Sequence, residues 1–220
     1  MNKSKVKTVL LILLNLYSFV GTILLIVGIF LIIIPALPYI YYSLNENAST
    51  DESSSIELFA QEDGTRYETK ANAQVVVTPT LPVKESSSPK ENTLIIRSIG
   101  VNGNINEGKD SKKALYRGIW RVPEFGTPIN NERSIILAAH RFGYIEWSAK
   151  FRKENSFKNL PNLKVGDEVE IIWDQRKFKY KVYKKEESGK INDYSADLIM
   201  YTCKYLKSPI RIIVYAKRVE

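Results

Sequence analysis

Three side chains in this 220-residue sequence have the types needed for covalent chemistry together: the sole cysteine Cys203, the sole histidine His140, and Arg211, eight residues beyond the thiol. A thiolate attacks a peptide carbonyl, and a neighbouring imidazolium or guanidinium favours its charge. An imidazole titrates near physiological pH and can protonate a departing amine, then deprotonate an incoming one. A guanidinium stays charged and presents several donors, so it can hold a carbonyl or an oxyanion. Together the three make an acyl-transfer set. Each also has a plainer role: a lone cysteine as a small buried hydrophobe, a lone histidine as a hydrogen-bonded structural residue, an arginine on an edge strand.

The elements that must position them read as short strands. His140 follows the apolar run Ser134 to Ala139, and Cys203 follows Leu198 to Thr202. Strand ends open into loops, so both side chains can meet at one rim of a barrel. Ile210 to Ala216 predicts a next strand that, if antiparallel, brings Arg211 alongside. Thr93 to Arg97 is β-like, and Val169 to Trp173 and Phe178 to Val182 flank the polar turn Asp174-Gln175-Arg176-Lys177 as a hairpin. A helical turn or two is expected around Trp147 to Leu160, ending at Pro161. Short, evenly spaced strands over residues 93–220 predict an all-β barrel or sandwich.

The rest of the chain is organised around a different solvent. From Val9 to Ile34 the sequence is apolar, with no charge between Lys7 and Glu46. About 20 helical residues span a bilayer core of about 30 Å. The run exceeds the apolar core of a cleaved leader, and Ile32-Ile33-Ile34-Pro35 is unlike a small-residue cleavage site. Residues 1–7 read as a cytoplasmic basic tail, 8–44 as one transmembrane anchor with its flank, and 45–92 as a flexible linker. Lys3, Lys5 and Lys7 keep the N-terminus cytoplasmic under the positive-inside rule, so residues 93–220 form an extracytoplasmic domain at the cell membrane. In the linker, Ile56, Leu58 and Phe59 suit a short helix or docking segment, or simply scattered apolar residues; no segment reads as a lid.

Setting those three lysines aside, the 32 basic residues become 29 against 24 acidic ones. With no nucleic-acid motif and an outside location, the excess points to the cell envelope rather than to nucleic acid. One cysteine permits no internal disulfide. One histidine and one cysteine fall short of a zinc ligand set, so no metal or cofactor is expected. Glu107, Glu186 and Glu187 are candidate calcium ligands only in being acidic, with a solvated surface role the plainer one.

Local sequence resembles one family. Ile135-Ile136-Leu137-Ala138-Ala139-His140-Arg141 is similar to the sortase strand that delivers the catalytic histidine. Phe157-Lys158-Asn159-Leu160 and Leu163-Lys164-Val165-Gly166-Asp167 are similar to the family's F-x-x-L and L-x-x-G-D phrases. Ile199-Met200-Tyr201-Thr202-Cys203 resembles the T-L-x-T-C signature, and Arg211-Ile212-Ile213-Val214-Tyr215-Ala216 the strand carrying the family arginine. The four segments occur in order. Papain-like and wall-hydrolase enzymes place cysteine before histidine, caspases carry a phrase missing here, and L,D-transpeptidases have glycine where Thr202 stands.

The resemblance implies an eight-stranded sortase-type barrel with short helices and His140, Cys203 and Arg211 as catalytic residues. Ala139 and Thr202 would lie beside the substrate, with Thr202 either supporting Cys203 through its hydroxyl or backbone or only packing in its strand. The implied reaction is thioacyl transfer from an LPxTG-like sorting signal near the C-terminus of a secreted protein to a cell-wall (peptidoglycan precursor) amine. A pilin lysine acceptor and a non-catalytic, membrane-tethered binding module are the alternatives. Ile199 replaces the first signature threonine, Ala139 the usual glycine, and the groove stretch Lys184 to Asp197 is short. These departures bear on signal preference and class, neither of which the resemblance assigns.

Overall fold

The computed structural model describes residues 3–44, Ile56, Phe59, 81–130, 132–205 and 208–219. It divides into two units, residues 1–44 and 45–220.

The first unit is helix α1, Lys3–Leu44. Its stretch Ile12–Ile34 is 23 residues long with none of it buried. At about 1.5 Å per residue that is roughly 34 Å of helix, apolar on every face and compatible with a single membrane span. Thr22 donates its hydroxyl to the Ser18 carbonyl at 2.9 Å, so this polar group is satisfied within the helix.

The second unit is a closed barrel. Its strands are β1 (Thr93–Ile96), β2 (Val101–Asn106), β3 (Ile119–Arg121), β4 (Ile135–Ala138), β5 (Glu168–Trp173), β6 (Arg176–Ser188), β7 (Leu198–Cys203) and β8 (Arg211–Arg218). Short helices α2 (Ser111–Tyr116) and α3 (Ala149–Asn155) lie between strands. Around the barrel the order is β1-β2-β3-β4-β7-β8-β6-β5. Neighbours are antiparallel except β2 with β3 and β4 with β7, which are parallel. A parallel pair needs a crossover: α2 lies between β2 and β3, and α3 with the β5–β6 hairpin lies between β4 and β7.

Side-chain alternation sorts the strands' residues into two cores. Inside the barrel, Ile135, Leu137 and Ala139 of β4 and its continuation meet Leu198, Met200, Ile212, Val214 and Ala216. Outside it, Ile136 and Ala138 pack with Ile199, Tyr201, Cys203, Ile213 and Tyr215. Covering both faces explains why β4 and β7 are continuous apolar runs, whereas β6, open on one face, alternates Phe178, Tyr180 and Val182 with charged residues.

The expected hairpin turn is tighter than the sequence suggested. It has two residues, Asp174 and Gln175, at φ 48° and 59°, the left-handed pair that matches strand twist in a two-residue turn. Strands β2 and β3 and helix α2 were not expected. In β2 the alternating Asn102, Gly103, Asn104 and Asn106 hide the pattern. Gly103 is required because α3 crosses there: an added Cβ would fall 2.6 Å from Asn155 Oδ1 and 2.9 Å from the Glu154 carbonyl. Residues 81–92, read as the end of a linker, dock on the hairpin. Glu85 N–H donates to Gln175 at 2.9 Å, Arg176 to the Pro82 carbonyl at 2.6 Å, and Lys84 pairs with Asp174 at 2.7 Å.

Candidate acyl-transfer site

Parity along three adjacent strands puts the three candidate groups on one face. Cys203 has the parity of Ile199 and Tyr201, Arg211 that of Ile213 and Tyr215, and His140, two residues past β4, that of Ile136 and Ala138. Cys203 and Arg211 are direct partners across β7 and β8. The parallel register pairs Ala138 with Tyr201, and Ala139 N–H donates to the Tyr201 carbonyl at 3.4 Å; two residues further it puts His140 level with Cys203. All three therefore stand at the end of the barrel where β4 and β7 finish and β8 begins, on the outer face rather than in the lumen.

The groups are buried: Cys203 and His140 are 0% exposed and Arg211 3%. On the imidazole side the cover is aromatic. The Tyr144 ring meets the His140 ring edge to face at 5.0 Å between centroids, and Trp147 lies at 6.2 Å. The loop that carries these rings is held by buried Arg152 of α3, which donates to the Phe142 carbonyl at 3.0 Å and also to Tyr144. Ser148 caps α3 by accepting from Phe151 N–H at 3.1 Å, while the His140 carbonyl accepts from Phe157 N–H at 2.9 Å. Arg141 donates to the carbonyl of Lys204, tying the residue after the imidazole to the residue after the thiol.

On the thiol side the cover comes from the stretch read as linker. Ile56 is 0% and Phe59 6% exposed, and both belong to the outer cluster that contains Cys203. Tyr201 donates its hydroxyl to the Ile56 carbonyl at 3.2 Å, and the Phe59 ring packs on Tyr201 at 4.8 Å. The Arg211 guanidinium carbon sits 5.3 Å from the centre of the Phe59 ring, and the same guanidinium donates to the Ser208 carbonyl. Of the two readings of this stretch, a docking segment rather than scattered apolar residues describes these two residues. Leu58 lies outside the described residues.

Ala139 and Thr202, expected beside a substrate, face the other way. Both are 0% exposed, and Thr202 donates its hydroxyl to the Ala139 carbonyl at 2.8 Å. Thr202 and Ile212 are register partners on the lumen side, so this bond braces the sheet beneath the three groups. Sequence reasoning missed Tyr144, Trp147 and Arg152; their only signal was proximity to His140 in the chain.

The three acidic residues considered for calcium have other partners. Glu107 pairs with Arg121 at 2.6 Å, Glu187 with Lys204 at 2.5 Å, and Glu186 accepts from Tyr215 at 2.6 Å and Asn192 at 3.0 Å. Burial, and next the bond to Glu186, push the Tyr215 phenol above its usual range. No cluster of three metal-ligating side chains occurs among the described residues.

A closed eight-stranded barrel presenting a thiol, an imidazole and a guanidinium at one end has the fold and the chemical groups of a cysteine transpeptidase. The sortase domain family matches residues 94–219. This is more than half of the chain, and the protein belongs to the sortase family. No curated protein matches it. Among solved structures it is similar to sortase C-1 of Actinomyces oris, at 20% identity and TM-score 0.48, over 73% of this chain and 98% of that one. It is similar to sortase A from Corynebacterium diphtheriae at 20% and 0.47, over 80% and 89%. Sortase D5 of Clostridium perfringens stands at 20% and 0.47, over 78% and 99%. Three sortase classes lie at almost the same distance, and these likenesses assign none.

Proposed function

We propose that Cys203, His140 and Arg211 catalyse transpeptidation at a C-terminal sorting signal of the LPxTG type, transferring a secreted protein to an amine of the cell envelope. The supporting observation is the pairing of Cys203 with Arg211 across β7 and β8, beside the β4 end that carries His140. Starting from a thiolate and an imidazolium, Cys203 Sγ attacks the threonine carbonyl and Arg211 stabilises the oxyanion. The C–N bond breaks, a thioester forms, and the departing amine takes the His140 proton. An incoming amine then attacks the thioester and gives its proton back to His140. The new amide leaves and the thiolate is restored.

An N-terminus in the cytoplasm and a barrel outside it suit this reaction, since secreted donors and wall amines meet on that side; the basic residues before the apolar run of α1 support the orientation. With Cys203 and His140 both buried, a donor peptide reaches the thiol only when part of the cover formed by Ile56, Phe59, Tyr144 and Trp147 moves.

The test is intact-mass spectrometry of the full chain in detergent with LPxTG-type peptides, with and without an amine, beside Cys203→Ala and His140→Ala. The expected result is an acyl adduct only on chains that keep Cys203, converted to amide product when the amine is added. A peptide library that yields no adduct and no cleavage would sink the proposal. Identifying the natural product's acceptor by mass spectrometry separates a wall amine from a protein lysine.

A further inference from the structure

An open cleft of about 460 Å³ shares Tyr144 with the surroundings of the imidazole and has no part in the donor chemistry above. It is lined by Lys112, Lys113, Tyr116 and Arg117, on α2 and just past its end, and by Tyr144. Tyr144 is shared: one contact of its ring is His140, at 5.0 Å, and another is Tyr116, edge to face at 4.8 Å. The backbone is tied at the same place, because Trp147 Nε1–H donates to the Tyr116 carbonyl at 3.2 Å. One aromatic ring therefore separates a molecule in the cleft from the proposed general base.

Most of the lining surface is apolar, from rings and side-chain stems, and the charges at its edge are of one sign. Three of the five residues are cationic, two are phenols, and among the described residues no carboxylate lines the cleft. Asp110, the α2 cap, offsets one charge by pairing with Lys113 at 3.3 Å. Lys112 and Arg117 leave a positive excess over aromatic walls. Such a site takes an anion carried on a compact body. Its volume is that of a small-molecule site and suits a short peptide rather than the face of a folded domain.

Resting on the acyl-transfer reading, we propose that this cleft is the acceptor site, and that the preferred acceptor is a short peptidyl amine bearing carboxylates. Lys112 and Arg117 hold the anionic groups, Tyr116 and Tyr144 pack against the chain, and the amine is delivered past Tyr144 to His140 and the thioester.

The experiment is transfer kinetics on the full chain in detergent at a fixed concentration of a cleavable donor peptide. Two acceptors of equal length are compared, one carrying glutamates and one the corresponding glutamines, with wild type and a Lys112→Ala/Arg117→Ala double variant. Donor thioester formation is read separately by mass. In wild type the acidic acceptor is expected to show a KM about tenfold lower at low salt, with similar kcat, and the double variant to erase the difference. Competition by inorganic pyrophosphate against the acidic acceptor, lost in the double variant, would support the anion site. Equal KM values for the two acceptors in wild type, with thioester formation intact, would overturn the proposal and leave the reaction standing. Binding of phosphatidylglycerol vesicles that the double variant loses, with acceptor KM values unchanged by the variant, would also overturn it, as a membrane contact. Absence of any thioester would refute the underlying reaction instead.

Discussion

The hydroxyl of Thr202 donates to the carbonyl of Ala139 at 2.8 Å, joining the residue before the thiol to the residue before the imidazole. The ladder between β4 and β7 stops at this point, and the side chain continues it where the backbone no longer does.

Replacing Thr202 by valine keeps the shape and removes the donor. We expect a loss of about 1–3 kcal/mol, because a buried carbonyl loses its hydrogen bond. Thr202→Ser should recover most of it. Urea denaturation of the three proteins checks the ranking; a valine variant as stable as wild type would mean that the bond braces nothing.

Phe59→Ala removes a ring that packs on Tyr201 and lies over the Arg211 guanidinium. Cation–π contacts contribute about 0.5–2 kcal/mol, according to their desolvation. The larger effect is expected on access: alkylation of Cys203 by a small thiol reagent should speed up several-fold. An unchanged alkylation rate would show that the residues over the imidazole, not Phe59, control access to the thiol.

Gly143 sits at φ +75°, and a Cβ there would lie 2.4 Å from the Trp147 ring. Gly143→Ala is expected to combine left-handed strain of about 1–2 kcal/mol with displacement of that ring. Trp147 packs beside both His140 and Tyr144, so the indole fluorescence should shift and kcat fall. Lower stability with unaltered kcat would confine the effect to folding.

Acid should loosen the segment between β6 and β7 before the barrel. Burial works to raise the Glu186 carboxyl, but bonds from Tyr215, Lys184 and Asn192 outweigh it and hold the group below its ordinary 4.5. Burial is likewise outweighed at Asp193, where Ser195 and Tyr183 hold the carboxyl below 3.8. A lowered folded value means that the stabilisation is fully present above the ordinary value and is lost as pH falls through the folded one. Hydrogen exchange of residues 189–197 should therefore be independent of carboxyl titration above about pH 5 and, corrected for intrinsic rates, lose protection below about pH 4. Glu186→Ala should remove part of that protection at neutral pH.

The sequence was most legible where both faces of a strand are covered. Continuous apolar runs marked β4, β7 and β8, and with them the ends at which His140, Cys203 and Arg211 stand. Strand β2 escaped notice because its outward positions are asparagines and its middle inward position is Gly103, a choice imposed by the close crossing of α3 rather than by strand preference. The lumen-facing role of Thr202 was illegible because it depends on which way the register turns its hydroxyl. Ile56 and Phe59 sit in a polar stretch, and their burial follows from a surface assembled by residues about 140 positions away, as the 145-residue separation between Ile56 and Tyr201 illustrates.

The crossover that makes β4 and β7 parallel also sets when the site can come into being. Ala139 and Thr202 are separated by 63 residues, and β8 must enter between β7 and β6 before Cys203 acquires Arg211 as its neighbour. Contacts of such long sequence separation form late, after the entropy of closing the intervening chain has been met. A chain made from its N-terminus thus holds Cys203 without Arg211 across from it until its last strand arrives. The pairing of Cys203 with Arg211 is therefore a property of the finished molecule, and a chain lacking β8 cannot have it.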